Sequence, residues 1–591
     1  REDGAGLSGR TPAGHPAWPG WEDAAVPPQH LGAYLRDFAE LLREHDLDGV
    51  PYGHFGDGCM HMRIDFPFST EPGRFRPFVV AAAQLAGKYG GSMSGEHGDG
   101  RARSELLPFM YSPEAIETMA AVKHIFDPGN VLNPGVLVEP APLDADLRVP
   151  QARPLRTGLA FAYPHDGGNL ATAVHRCTGV GKCRADTTAM KGPGEVGGGV
   201  MCPSYLATKD EKDSTRGRAR VLQELANGSL VKDFRAPELA ESLDLCLSCK
   251  GCSSDCPAGV DMATYKAEVL HQRYKNRPRP PAHYALGWLP RWADLAARAP
   301  KLANAALGQR QLAGLAKRLG GIDPRRPLPD FAPQTFRQWL ATQPATPSGP
   351  RVLLYVDTFT DHFTPEVGQA AVRVLTEAGY AVRVTREPVC CGLTWISTGQ
   401  LNGARRQLRR SLDALGPAID AGLPIVGLEP SCTAVLRGDL TELLPADPRA
   451  AQVRAKTRTL AELLTETDGW TPPDLSGVSA VAQPHCHHHA VMGWHADAAL
   501  LAKAGAQVSA VGGCCGLAGN FGVERGHYDV SVAVAETALL PAVRAAGGAQ
   551  VLADGFSCRT QLDQLAGVRA RHLAELLADP GKDSPGKDRQ D

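Results

Sequence analysis

The 591-residue chain has no apolar run long enough to cross a bilayer. It carries almost no net charge: 62 Lys and Arg against 64 Asp and Glu give −2, so nothing global attracts nucleic acid. No secretory signal is legible, and the expected compartment is the cytoplasm, with peripheral contact at the inner face of the plasma membrane as a further placement. A disulfide framework is also missing. The 15 cysteines are clustered rather than spread, which fits metal ligation in a reducing compartment. The length suggests roughly three to five domains.

What is present begins with Cys246 to Pro257, which reads C-L-S-C-K-G-C-S-S-D-C-P. Four thiolates at this spacing, closed by Cys-Pro, suit a cubane [4Fe–4S] cluster: three close-set cysteines wrap one cluster and the fourth leaves to ligate a neighbour. The upstream partner motif is imperfect. Cys177 and Cys183 take the first and third positions, Val180 stands where the second Cys would be, and Cys202-Pro203 comes late, after the Gly-rich stretch Gly192 to Gly199. Ligand exchange then predicts one complete cluster on Cys202, Cys246, Cys249 and Cys252. The other would hold only Cys177, Cys183 and Cys256, as a [3Fe–4S] cluster or as a [4Fe–4S] cluster with a non-Cys ligand.

Residues 1–28 are Gly/Pro-rich and read as irregular. Residues 29–138 mix helix with short strands, and 171–275 form the ferredoxin-like part. Residues 277–350 are a basic helical linker whose 277–326 stretch carries ten Lys/Arg, two Asp, Trp288, Trp292 and a face of Leu312, Leu315 and Leu319. That stretch suits an anionic lipid surface or packing on other domains. Two similar α/β modules follow, 351–445 and 476–578, before a tail, 579–591, expected to be disordered. Each module has a Cys-Cys-Gly and a late lone Cys. The second offers Cys486, Cys514, Cys515 and Cys558. The first offers Cys390, Cys391 and Cys432, with Asp357 to Thr360 after its first strand. Iron–sulfur and zinc both stay open for the second set, since His485, His487, His488 and His489 flank Cys486. The polar run His487 to His489 also reads as a solvent-facing loop, and the first module as a structural relic.

In the front segment, Tyr52-Gly-His54-Phe-Gly-Asp57-Gly-Cys-Met-His61 places two histidines around a Gly-rich turn, and Ser94-Gly-Glu96-His97-Gly-Asp99-Gly100-Arg101 follows. Two His and a carboxylate make a divalent-metal set with open positions, and a His beside the Glu can act as a general base.

These motifs resemble the C-terminal half of FAD-linked oxidases of the D-lactate and D-2-hydroxyglutarate dehydrogenase family, within the vanillyl-alcohol oxidase fold. The resemblance implies that His54, His61 and Glu96 are metal ligands, with zinc the expected ion, and that His97 is the base. It implies substrate contacts at Arg63 and Arg101, and a flavin-side motif, Asp127-Pro-Gly-Asn-Val-Leu-Asn133-Pro-Gly, with Asn133 as a cofactor contact. The modules resemble the cysteine-rich "CCG" domains of heterodisulfide reductases and related iron–sulfur subunits, with Gln561 where a second late Cys is usual. The whole order resembles large fused FAD/iron–sulfur dehydrogenases. No Gly-rich flavin fingerprint precedes Tyr52 and the chain opens on Arg1, so the flavin-binding half is expected upstream.

The fold class expected is therefore multidomain, α+β and α/β: an FAD-linked oxidase C-terminal half, a helical dicluster ferredoxin-like domain and two CCG modules. The expected activity is oxidation of a D-2-hydroxyacid to the 2-oxoacid, with electrons leaving through Fe–S clusters to a quinone, a cytochrome or an electron-transfer flavoprotein, in a homo-oligomer. The alternative is an electron-transfer subunit with an inert front domain.

Overall fold

The computed structural model describes residues 11, 15–344 and 348–581. The chain divides into two compact units. One comprises residues 1–154, 174–182 and 223–230; the other comprises 155–173, 183–222 and 231–591.

The first unit is built on a three-stranded antiparallel sheet. Strands β1 (Trp18–Ala25), β2 (Gly49–His54) and β3 (Cys59–Ile64) lie in the order β1-β3-β2. The central strand β3 is buried along its whole length. Helix Leu31–Glu44 turns Leu31, Tyr34, Phe38 and Leu42 inward, the helical period of a single buried stripe. It packs with helix Phe75–Lys88 over Trp21, Met60, Met62 and Ile64 in one core. Residues 18–25 thus correct the irregular reading of that stretch. The strand was hidden because its pairing with β3 slips between Pro19 and Trp21 and again between Trp21 and Ala24, which breaks the two-residue alternation. Residues 1–10 and 12–14 lie outside the described ones.

Tyr52 faces His61, and His54 faces Cys59, across the β2–β3 pair. The turn between them closes at Gly58, with φ +73° and the Val26 carbonyl oxygen 2.0 Å from where a Cβ would sit, so no side chain fits there.

The second unit holds the short helices of the ferredoxin-like part, including Pro203–Thr208, Pro237–Asp244, Gly251–Asp255 and Met262–Arg273. Helices Pro281–Ala285, Leu289–Ala296, Pro300–Gly308 and Arg310–Gly320 follow. Then come two parallel sheets. Strands β4 (Arg351–Tyr355), β5 (Ala381–Arg383), β6 (Ile425–Gly427) and β7 (Thr457–Thr459) order as β5-β4-β6-β7. Strands β8 (Ser479–Ala482), β9 (Gln507–Ala510) and β10 (Gln550–Leu552) order as β10-β8-β9. Val352, Leu354 and Val426 of the first sheet share one apolar core with Ala480, Val508 and Leu552 of the second. Helix Leu573–Ala578 closes the module; of the tail expected to be disordered, residues 582–591 lie outside the described ones.

Candidate active site and thiol clusters

In the first unit the Gly-rich turns bring four expected residues together. Glu96 Oε1 lies 3.6 Å from His54 Nε2, 3.7 Å from His61 Nε2 and 3.7 Å from His97 Nε2. The His61 and His97 rings stack, 5.0 Å apart and 9° from parallel. Donors held at about 2.0–2.2 Å on a tetrahedral ion are about 3.3–3.6 Å apart, so this spacing fits one small divalent cation. Ligand atoms of Asp23, Cys59, His61 and Glu96 all lie within 4.8 Å of one another, a group that shares His61 and Glu96 with the set expected from sequence, brings in a thiol and a second carboxylate, and does not include His54.

Asp23 is the residue that sequence reading missed. It is buried, with φ +73°. Its carboxylate accepts the Ser94 hydroxyl at 2.7 Å, the Glu96 N–H at 3.0 Å, the His97 N–H at 2.6 Å and the Cys59 thiol at 3.4 Å. Burial pushes this carboxyl up, but the N–H of His97, the Ser94 hydroxyl and the N–H of Glu96 outweigh it and hold it at about 2. The Asp23 N–H donates to His61 Nδ1 at 3.1 Å, so in the neutral ring the proton sits on Nε2, toward Glu96. No motif marks Asp23, because its role is created by strand pairing.

Arg63 is buried, with Nε 3.2 Å from Glu22 Oε1. Arg101 is exposed and pairs with Asp146 at 3.0 Å. Asn133 lies in a loop that Asp127 holds by accepting the N–H groups of Val131 at 2.9 Å and Leu132 at 2.8 Å and by pairing with Lys123. Around it Ile125, Phe126, Val131 and Leu132 are exposed.

In the second unit, Cys202, Cys246, Cys249 and Cys252 are all buried. Buried Arg218 reaches Cys202 Sγ at 3.6 Å and donates to Ser242 O at 2.9 Å. The Met262 N–H donates to Cys252 Sγ at 3.4 Å. Burial pushes the Cys252 thiol well up, and the neighbouring Asp261, Cys246 and Cys202 add to it. Arg218 supplies the positive charge that four thiolates need, and it too was missed, since arginine is common in helices. Cys183 and Cys256 belong to this unit; Cys177 belongs to the first.

Both sheets end in cysteines. Cys390 and Cys391 follow β5, and Cys432 follows β6; the Cys391 and Cys432 sulfurs are 2.9 Å apart. Asp357 follows β4, buried, capping helix Thr358–His362 through the N–H groups of Phe359 and Thr360. In the second module Cys486 follows β8, Cys514 and Cys515 follow β9, and Cys558 follows β10. Cys514 interacts with Cys486 and Cys515, and Cys515 in turn with Cys558. All seven thus stand at the carboxyl ends of parallel strands, where open α/β sheets leave a crevice. Cys249 packs in one buried cluster with Cys486 and Cys514, which puts the ferredoxin-like set beside the second module.

The reading of His487 to His489 as a solvent-facing loop is corrected. His487 Nε2 is 3.0 Å from Ser248 O, His488 Nε2 is 3.2 Å from Asp497 and His489 Nε2 is 2.8 Å from Asp255. His487 is buried against the ferredoxin-like part and His488 against Asp497 of its own module. Ligand atoms of His488, Asp497 and Asp554 lie within 4.8 Å of one another, so the module offers this donor set besides its thiols.

Comparison with known proteins follows the same division. Residues 5–137 match the C-terminal domain of FAD-linked oxidases, 172–260 a 4Fe-4S dicluster domain and 357–437 a cysteine-rich domain. The chain is 27% identical, over 98% of its length and 60% of the relative's, to a D-2-hydroxyglutarate dehydrogenase of Escherichia coli strain K12. It is 28% identical, over 44% of the chain and 66% of the relative, to one subunit of the anaerobic glycerol-3-phosphate dehydrogenase of the same strain. Over 20% of the chain and 26% of the relative, it is 39% identical to a D-lactate dehydrogenase of Archaeoglobus fulgidus. The chain therefore spans about 60% of the length of the first of these relatives. It carries, in order, an FAD-linked oxidase C-terminal domain, a 4Fe-4S dicluster domain and a cysteine-rich domain, in a mixed α and β architecture with parallel sheets.

Proposed function

We propose that this protein is part of a flavin- and iron–sulfur-dependent dehydrogenase that oxidises a D-2-hydroxyacid, D-2-hydroxyglutarate or D-lactate, to the 2-oxoacid. The observation carrying this reading is the convergence of His54, His61 and His97 on one oxygen of Glu96. An inert front domain has no need of three imidazoles around one carboxylate.

In this reading His54, His61 and Glu96 hold a divalent metal, zinc being the best match to two imidazoles and a carboxylate. A bound divalent ion would supply Lewis-acid help to the substrate's 2-hydroxyl. His97, oriented by Asp23 through its backbone N–H, takes the hydroxyl proton. FAD would supply the hydride acceptor, and the exposed apolar face around Asn133 suits docking of the segment that carries it. Arg101, which pairs with Asp146, and Arg63, buried against Glu22, are the proposed contacts for the substrate carboxylate.

Iron–sulfur clusters would supply one-electron relay. Cys202, Cys246, Cys249 and Cys252, countered by Arg218, suit a [4Fe–4S] cluster. Cys177, Cys183 and Cys256 would make a three-thiolate site of [3Fe–4S] or unusually ligated [4Fe–4S] type. The thiols of the cysteine-rich modules pass electrons on to a non-nicotinamide acceptor: a quinone, cytochrome or electron-transfer flavoprotein. No helix among the described residues is long and apolar enough to cross a membrane. The basic helices 277–326 suit peripheral contact with the inner face of the plasma membrane. We also propose a homo-oligomer.

The test is a screen of D-2-hydroxyacids with an artificial dye acceptor on the full-length protein. Stereospecific oxidation of one D-acid is expected, lost in His97→Ala. Absence of turnover with every D-2-hydroxyacid, in protein loaded with flavin, metal and iron, would sink the proposal.

A further inference from the structure

A cavity of about 780 Å³ opens among the cysteine-rich modules, the ferredoxin-like part and the basic helices. This is within the size range of sites for drug-sized ligands, about 300–1,000 Å³. Its lining carries thiols of three separate sets: Cys390, Cys391 and Cys432 of the first module, Cys486 of the second, and Cys249 of the ferredoxin-like motif. Most of the rest is apolar, with Leu286, Leu289, Phe359, Phe363 and Phe556 prominent.

The same cavity is lined by Trp292, Ala316 and Leu319 from the basic helices. Helix Arg310–Gly320 buries no residue, and Leu319 is 67% exposed, beside exposed Leu312 and Leu315. Arg310, Lys317 and Arg318 ride on that helix. The apolar lining is therefore continuous with an uncovered leucine face edged by positive charge, the composition of helices that lie at anionic lipid surfaces.

We infer that this cavity binds a lipophilic quinone, which enters from the lipid surface past Leu319 and is reduced beside the thiols of the lining. The inference rests on the dehydrogenase reading for its electrons, though not for the binding itself. A hydroxyacid is small and anionic and gains nothing from this lining, and an acceptor protein cannot enter. A quinone fits both features: its tail matches the leucines and its ring reaches the thiols of the lining. Oxidation of one hydroxyacid at C2 releases two electrons and two protons. The quinone takes two electrons and, from solvent, two protons; its two C=O bonds become C–OH, and the quinol leaves by the same mouth.

The test uses the full-length, cluster-loaded, oxidised protein without hydroxyacid, titrated calorimetrically with a benzoquinone bearing a decyl tail. Saturable binding of one equivalent is expected. Ala316→Trp, which fills the mouth from a partly exposed helical position, should weaken it by at least about tenfold. Met190→Gln, an exposed apolar side chain outside the cavity, should leave it unchanged. If Ala316→Trp misfolds by circular dichroism, Leu319→Arg is read in its place, with weakening of at least about threefold expected. Absence of saturation, an affinity that neither variant moves, or displacement of the quinone by an equal concentration of laurate would overturn the inference. Dye-coupled hydroxyacid oxidation, measured separately, reports on the dehydrogenase reading, so that failure of one does not read as failure of the other.

Discussion

Asp23 Oδ2 accepts the backbone N–H of His97 at 2.6 Å, so a carboxylate on an edge strand sets the position of the proposed base seventy-four residues later. The same carboxylate accepts from Ser94, Glu96 and Cys59. Asp23→Ala removes four acceptor contacts at once. Hydrogen bonds to charged groups contribute about 1.5–3 kcal/mol each, not additively, so a loss of about 2–4 kcal/mol is expected, read by thermal unfolding. In the loaded enzyme kcat should fall more than KM rises, by about a hundredfold or more, because the base and not the substrate contacts is displaced. Wild-type kinetics in Asp23→Ala would remove Asp23 from this role.

The metal set can be dissected by elemental analysis. His61→Ala and Glu96→Gln should each reduce bound zinc from about one equivalent to near zero. His97→Ala should retain it, since His97 serves as base and not as ligand. Imidazole nitrogens ligate zinc only when unprotonated, so protons compete with the metal and zinc binding should weaken as pH falls. Retention of zinc in both ligand variants would refute the site.

Arg218 is a buried cation 3.6 Å from Cys202 Sγ, and it also faces the buried Asp213 at 3.7 Å. Replacing it by Met keeps its volume and removes its charge. Reduction adds a negative charge to a cluster, so the midpoint potential should move negative, measured by EPR-monitored redox titration with iron content as control. An unchanged potential with full iron would show that this charge is not felt.

The second cysteine-rich module should carry its own centre on Cys486, Cys514, Cys515 and Cys558. Cys514→Ser is expected to remove metal from that module and to leave the [4Fe–4S] EPR signal of the ferredoxin-like part intact. Full iron and zinc content in the variant would make the module structural.

A pH test falls on Asp127, held at about 2 against the ordinary 3.8 by Lys123 and by the N–H groups of Val131 and Leu132. A depressed carboxyl stabilises above its unfolded value and loses that contribution as pH falls through the folded one. Hydrogen exchange of residues 127–133 should therefore be protected at pH 5 and lose protection between about pH 4 and pH 2. Protection that persists below pH 2 would remove Asp127 as the anchor of that loop.

The sequence by itself determined the chemistry-bearing residues, because their spacing is dictated by the groups they hold. Cys246 to Cys256 can be recognised without a fold, since a cluster's size sets the intervals, and His54, His61, Glu96 and His97 lie in Gly-rich turns whose backbone needs are local. The α/β character of the cysteine-rich modules was also legible, because β4 and β8 are continuous apolar runs. Tertiary structure alone decided the rest. Strand β1 and Asp23 became visible only through bulged pairing with β3, which scrambles the periodicity a strand shows in sequence. His487 and His489 became committed because the ferredoxin-like part packs on them through Ser248 and Asp255, contacts that no local pattern encodes. The cavity exists only where helices, two modules and the ferredoxin-like part meet, so its apolar lining is scattered over more than three hundred residues of chain, from Leu247 to Gln564.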